Sequence, residues 1–340
     1  MRSRAPSAAS LFGANPPHLL TRLALYRGRG DAGLNTPSQT KAQRWWPFVL
    51  LLLVGASRWA VAAVRPDADS TLASETIGCA WATLLSLAFF ALQPKPTRPV
   101  ASQPAPSRAA RLRWLLAGAM FFAGPAIELL VRGRDLDSSA LTIALALTPV
   151  IIAIASSALG TESSEGIAGR IWPGLAAVAG LLLVLVQPTL GDLRTDLALA
   201  LAPTLTGIGA VLFCVDQPRA ASRIPTALLG ASTLFAIALA GSYFVAHTRP
   251  SLSLLAVACD GIMALLGVTT LVQLGATRWS SQFTWVPLLV ILEGIVLVRP
   301  QLTAHWFIGL ILLILAGVYL LLPQVDESSS GTSPVPTLPG

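Results

Sequence analysis

Residues 283–298 read FTWVPLLVILEGIVLV, an almost wholly apolar stretch that holds one proline, Pro287, and one ionisable residue, Glu293. Similar runs of about 20 residues recur along the chain, and each is long enough as a helix to cross a hydrocarbon core of about 30 Å. Of the 340 residues, 54% are hydrophobic and only 11% are charged. Soluble domains carry about 25% charged residues. The sequence therefore predicts an all-α membrane protein that crosses the bilayer several times.

Ten such runs follow one another, and most are joined by short polar connections. Short connections favour antiparallel packing of neighbouring helices. The exception is the proline-rich stretch 93–111, which is typical of a flexible linker. The predicted transmembrane helices are 45–64, 72–92, 112–132, 139–159, 169–187, 195–215, 226–247, 252–274, 281–299 and 303–323.

The two ends of the chain are polar, and we expect both to be disordered. Residues 1–44 are rich in Arg, Pro, Gly and Ser, and residues 324–340 are rich in Ser and Pro. Basic residues flank the apolar runs, with an excess on the side of the N-terminus, which predicts that both tails are cytoplasmic. The net charge of +7 is thus attributed to membrane orientation, and no nucleic-acid-binding motif accompanies it.

A weak repeat divides the chain into two halves, 45–190 and 195–323. Pro149 lies near the start of the fourth predicted span, and Pro287 takes the same place in the ninth, 138 positions later. Ala179-Gly180 and Ala316-Gly317 match in the spans that follow. Each half holds five spans, an odd number, so the second half must enter the membrane the opposite way up. Inverted repeats of this kind are typical of secondary transporters, whose sites lie between the halves.

Residues 140–186 read ALTIALALTPVIIAIASSALGTESSEGIAGRIWPGLAAVAGLLLVLV. Their early Pro149, the Gly–Glu turn that ends at Glu162 and the run at Ala179-Gly180 resemble the first EamA-like repeat of the drug/metabolite transporter superfamily. Residues 265–322 are similar, except that Arg299-Pro300 stands where the turn is expected. The resemblance implies ten transmembrane helices in two inverted five-helix repeats. It also implies efflux of a small metabolite across a bacterial inner membrane.

Ionisable side chains inside a span are energetically expensive, so each is a functional candidate. Arg58, Asp260 and Glu293 lie at similar depth, 6–8 residues from the outer ends of their spans. They either line a water-filled cavity or form a structural ion pair, with the second carboxylate left for a proton or a cationic substrate. Glu75 and Glu128 lie close to span ends, and we expect both to have no role beyond the interface.

The two matched prolines, Pro149 and Pro287, are expected to kink their helices and to expose backbone carbonyls to the transport pathway. Neighbouring polar side chains could hydrogen-bond a substrate there; these are Thr148, Gln273 and Trp285. The indole ring could also face a cation. These residues complete the predicted substrate pathway.

The function predicted from the sequence is secondary-active transport of a small organic metabolite by alternating access, as a permease or exporter. No catalytic residue, metal site or other cofactor is predicted. The alternatives are a non-transporting integral membrane protein and an intramembrane enzyme acting on a lipid-linked substrate. An ATP-driven pump is disfavoured because the chain has no Walker-type motif. The substrate, the direction of transport, the coupling ion and the oligomeric state remain open.

Overall fold

A computed structural model describes residues 41–57, 68–92, 107–123, 126–127, 138–160, 167–185, 193–215, 223–246, 252–298 and 303–322. From Arg44 onward these residues belong to one compact unit. Within them the regular structure is helical, with no strand. The helices are α1 (Lys41–Ala56), α2 (Ala68–Leu92), α3 (Arg108–Phe121), α4 (Ser138–Leu145), α5 (Thr148–Ala158), α6 (Ile167–Val184), α7 (Leu193–Val215), α8 (Arg223–Ala246), α9 (Leu254–Ser280), α10 (Gln282–Val298) and α11 (Ala304–Leu321).

The chain is a multi-pass integral membrane protein. Within the described parts of the chain, six helical segments are long and apolar enough to span a bilayer: Leu72–Phe89, Ser139–Ala158, Asp196–Val215, Arg223–Gly241, Leu254–Ser280 and Ala304–Leu321. Three shorter apolar helices accompany them, at Trp45–Ala56, Gly169–Val184 and Gln282–Leu297. Large apolar side chains such as Leu254 and Val296 are exposed on the outer faces of these helices. Such outward apolar surface is stable against lipid and not against water.

The fourth predicted span is interrupted where a kink was predicted. α4 ends at Leu145, and α5 begins at Thr148 with Pro149 in its first turn. Proline suits that position because the first turn of a helix needs no intrahelical N–H donor. By contrast, α10 continues through Pro287 as one helix. The two matched prolines therefore occupy different local structures.

The long helix α9 is interrupted by Gly275, whose φ of 81° and ψ of 169° are not helical. This backbone conformation is open almost only to glycine. The regular part of α9 thus ends at 274, which is the predicted end of the eighth span. The remaining turn of α9 ends at Ser280, whose hydroxyl donates to the carbonyl of Thr277 at 2.6 Å. Trp279 lies in this short turn, after the regular part of α9 and before the start of α10 in the sequence.

Glycines allow close crossings between helices. α2 packs against α8 and α9, α3 packs against α7 and α8, and α6 packs against α11. A Cβ atom on Gly78 of α2 would lie 2.7 Å from the backbone nitrogen of Gly261 on α9. Gly180 of α6 and Gly309 of α11 approach each other in the same way. Small residues at these crossings let the backbones meet, as in other membrane helix bundles.

Two apolar clusters form the interior. The larger cluster joins α1, α2, α3, α5, α7, α8 and α9 around Phe121, Phe213, Phe235 and Trp279. The smaller joins α4, α6, α10 and α11 around Leu181, Leu288 and Leu313. The candidate site is lined by members of the larger cluster and by residues of α4 and α10.

Candidate functional site

A cavity of about 290 Å³ lies between α1, α2, α3, α4, α7, α9 and α10. Most of its wall is apolar. The apolar lining residues are Leu51, Gly55, Phe121, Phe122, Leu141, Leu145, Met263, Ala264, Gly267, Phe283, Val286 and Pro287, and the more polar ones are Glu75, Thr142, Thr206, Trp279 and Gln282. A mostly apolar pocket with a few polar groups is typical of a small-molecule site.

Aromatic rings form one face of the cavity. The rings of Phe121 and Trp279 lie 4.5 Å apart between centroids, at 38° to each other. Phe283 meets Trp279 edge-on at 5.2 Å, and Phe122 meets Phe121 at 4.8 Å. Contacts of this geometry stabilise an aromatic cluster beyond the area that it buries. The four rings therefore hold one another in place on the cavity wall.

Two buried polar atoms on this wall have no hydrogen-bond partner among the described residues. They are the indole nitrogen Nε1 of Trp279 and the hydroxyl Oγ1 of Thr206. Both residues are 2% exposed. An unsatisfied buried donor or acceptor costs about 1–3 kcal/mol.

Glu75 is the ionisable residue of the cavity wall within the described part of the chain, and it is 5% exposed. The expectation that it has only an interfacial role does not account for this buried position. Three small residues, Gly78, Cys79 and Ala82, lie three, four and seven positions after Glu75 in the sequence. Positions three, four and seven apart share a helix face, and a face of small residues packs against other helices. That spacing is the sequence signal that points Glu75 inward.

Asp260 occupies a helix crossing beside the cavity. Its Oδ2 accepts a hydrogen bond of 2.7 Å from the hydroxyl of Ser74, and Asp260 is 2% exposed. Its neighbour Gly261 is the residue that meets Gly78 of α2. Asp260 is not among the described residues of the cavity wall. It therefore joins α9 to α2 at a point where the two backbones touch.

Of the other predicted pathway residues, Pro287 lies on the cavity wall. Thr148 is fully buried at the start of α5, and its hydroxyl has no partner among the described residues. Pro149 follows it and packs toward Gly174 of α6. Neither Thr148 nor Pro149 belongs to the described cavity wall.

The remaining candidates lie on α9 and α10. Gln273 has a buried Oε1 without a partner in the described part of the chain. Trp285 packs against Gly317 of α11, and its Nε1 is likewise unpaired there. Glu293 is partly buried, further along α10 than Pro287. The structure thus brings Pro287 to the cavity and leaves Gln273, Trp285 and Glu293 outside its described lining.

Several predicted features lie outside the described residues. They are Arg58, Glu128, the turns at Glu162 and at Arg299-Pro300, and residues 1–40 and 324–340 of the two tails. Residues 41–44, predicted as part of the disordered tail, form the start of α1 instead. Within the described residues, no group of three or more His, Cys, Asp and Glu side chains is placed to hold a metal ion.

Comparison with known proteins identifies the fold and nothing more specific. No family model and no curated protein matches the chain. Sixteen chains of solved structures do match. One of them, described as "Crystal structure of protein", superposes with a TM-score of 0.56 at 14% sequence identity. The match covers 82% of this chain and 98% of that one. At this identity the two proteins share a fold, and no function follows from the similarity.

Proposed function

We propose that this protein is a secondary-active transporter of a small organic metabolite that works by alternating access. The observation that carries the proposal is that both halves of the chain build one cavity. The first half contributes Leu51, Glu75, Phe121 and Leu141, and the second contributes Thr206, Met263, Trp279 and Pro287. In transporters with inverted repeats, the substrate site lies at the interface between the halves.

The helix packing supports two inverted five-helix repeats. In that arrangement α2 corresponds to α8, α3 to α9, and α6 to α11. Corresponding helices then pack on each other, as α2 does with α8 and α6 with α11. Exchange of the two repeats would convert the α3–α8 contact into the α2–α9 contact, and both contacts occur in the structure. Glycines make the close approach in each, Gly118 and Gly230 in the first and Gly78 and Gly261 in the second.

The proposed mechanism is rocking of one repeat against the other around the shared cavity. We propose that the transporter lies in a bacterial inner membrane with both termini in the cytoplasm, as the distribution of basic residues favours. A proton is the candidate coupling ion. Asp260 and Glu293 are its candidate carriers from the sequence, and Glu75 joins them because it lies on the cavity wall.

Transport is tested with the purified full-length chain in proteoliposomes loaded with an isotope-labelled mixture of small metabolites. The retained contents are measured by mass spectrometry over time, with and without a pH gradient. The blocking variant is Gly267→Leu, because Gly267 lines the cavity and a Cβ there meets only Phe121, at 3.8 Å. Its matched control is Gly241→Leu on the exposed face of α8, where nothing lies within 4 Å.

The expected result is loss of particular metabolites from wild-type and Gly241→Leu vesicles, with those metabolites retained by Gly267→Leu and protein-free vesicles. Leucine fills cavity space while the helix around it stays intact, so binding is blocked and folding is not. Retention of every metabolite by wild-type vesicles, both with and without the pH gradient, would contradict the proposal. Equal loss from Gly267→Leu and Gly241→Leu would contradict the assignment of the cavity as the pathway.

A further inference from the structure

We infer that the start of α3 binds the headgroup of an anionic phospholipid through Arg108, Arg111 and Arg113. The inference goes beyond the proposed function, because it concerns the outer surface of the protein and not the cavity. It rests on three properties of this surface: its exposure, its positive charge and its place at the edge of an apolar helix face.

One face of α3 turns away from the helix bundle. The opposite, buried face is formed by Ala110, Trp114, Ala117, Gly118 and Phe121. The outward face begins at Arg108 and continues with Leu112 and Leu116, since residues four positions apart lie on one face of a helix. All three are exposed, Leu112 by 57% and Leu116 by 50%. Within a single turn, the outward surface therefore changes from a cation to apolar side chains.

The sequence around this surface is basic. Arg111 and Arg113 lie on either side of the outward face, and both are exposed. Residues 93–127 include no aspartate or glutamate, so none lies in the first turn of α3. The dipole of a helix stabilises anions, and not cations, at the N-terminus. The neighbouring sequence and the helix dipole therefore both leave this end of α3 positive, which favours an anion from outside the chain.

The position of the arginines matches the depth of lipid phosphates. Arg108 and Leu112 are four residues apart, which is about 6 Å along a helix axis. Because an exposed leucine of a membrane helix faces hydrocarbon, the guanidinium groups are then at its edge, where headgroups lie. Arginine binds phosphate oxygens through two parallel N–H donors. An anionic phospholipid offers a phosphate to the arginines and acyl chains to Leu112 and Leu116. A zwitterionic lipid offers the same phosphate, but its own cation cancels the charge that attracts the arginines.

The test is native mass spectrometry of the full-length protein in detergent micelles, with a phospholipid added stepwise. The two probes are phosphatidylglycerol, which is anionic, and phosphatidylcholine with the same acyl chains. The measured quantity is the ratio of their association constants for the first bound lipid, because a change in the apolar surface affects both. Glycerol 3-phosphate, added in competition with phosphatidylglycerol, tests whether the surface instead binds soluble phosphate esters.

The test variant is Arg108→Gln combined with Arg111→Gln. Its matched control is Arg170→Gln combined with Arg278→Gln, which removes the same charge from partly buried arginines on α6 and α9. A second variant, Arg108→Lys combined with Arg111→Lys, keeps the charge. The glutamine pair should lower the ratio by about 5-fold for each arginine removed. The control pair should leave the ratio unchanged, and the lysine pair should retain most of the preference for phosphatidylglycerol.

Unchanged association of phosphatidylcholine shows that the glutamine pair is folded and keeps its apolar surface. The inference is overturned if the wild-type protein binds both lipids equally, if the glutamine pair keeps the wild-type ratio, or if the control pair lowers the ratio as much. It is also overturned if the lysine pair loses the preference as fully as the glutamine pair, or if glycerol 3-phosphate displaces phosphatidylglycerol. The transport assay reports on the cavity, so either proposal can fail while the other stands.

Discussion

Replacing Gly78 by alanine should separate α2 from α9. The added Cβ would lie 2.7 Å from the backbone nitrogen of Gly261 and 2.9 Å from the carbonyl oxygen of Val257. Ordinary contacts of a Cβ begin at 3.4 Å, so the two backbones must move apart by about 0.7 Å. These neighbours are backbone atoms that cannot swing aside. Overpacking of this kind costs about 1–3 kcal/mol.

The matched substitution is Gly241→Ala on α8, where nothing lies within 4 Å of the new Cβ. Alanine favours a helix over glycine by up to about 1 kcal/mol, and this gain is common to both variants. The difference between them therefore isolates the crowding at the α2–α9 crossing. It should be about 1–3 kcal/mol in the free energy of unfolding, with Gly78→Ala the less stable.

The difference is measured by equilibrium unfolding in mixed micelles, where the fraction of sodium dodecyl sulfate is raised and helicity is followed by circular dichroism. Refolding on dilution checks that the transition is reversible. If the two variants unfold at the same detergent fraction, the backbones of α2 and α9 do not touch. The reasoning about the whole interface, including the bond from Ser74 to Asp260, would then fail.

Three further predictions use the same unfolding measurement. Ser74→Ala removes one hydrogen bond to the buried carboxyl group of Asp260 and should destabilise the protein by about 1–3 kcal/mol; an unchanged midpoint would mean that the bond is not formed. Gly275→Ala should cost about 1–3 kcal/mol through its backbone conformation although nothing lies within 4 Å, whereas Gly294→Ala, in an equally open helical position, should be neutral or slightly stabilising. Thr148→Val removes a fully buried hydroxyl that has no partner among the described residues, so it should be neutral or stabilising; a clear loss of stability would reveal a partner.

The features that sequence predicted well are those that one helix determines by itself. Length and apolar composition predicted a helical protein that crosses the membrane several times, because a bilayer sets both. Of the ten predicted spans, six correspond to described segments that are long and apolar enough to cross it. The interruption at Pro149 followed from the missing N–H of proline. The end of the eighth span at 274 coincides with Gly275, whose backbone conformation ends the regular helix.

The cavity was harder to predict because it depends on how each helix is rotated against its neighbours. Depth along a span ranked Asp260 above Glu75, since Glu75 lies nearer a span end. In the structure, Asp260 lies at a helix crossing, whereas Glu75 lies on the cavity wall. The depth of a charged residue in the membrane determines the energetic cost of burying its charge. The helix face on which it lies determines which residues it contacts. For Glu75, the small residues Gly78, Cys79 and Ala82 at helical spacing indicate a face that packs against other helices.

Trp279 shows a second limit of the sequence. It lies at the predicted connection between two spans, where a tryptophan is expected at the membrane interface. In the structure, the turn after Gly275 packs it against Phe121 and Phe283. No periodicity within either span predicts that position, because the residue belongs to neither regular helix.

The two halves also differ where their sequences match. The helix breaks at Pro149 in the first half, whereas it continues through Pro287 in the second. Pro287 lies on the cavity wall, and Pro149 is absent from the described wall. Under alternating access, two similar repeats must hold different conformations in any one state, and exchange of those conformations moves the opening from one side to the other. In the transporter proposed above, the interruption at Pro149 and the continuous helix through Pro287 would be one such difference between the halves.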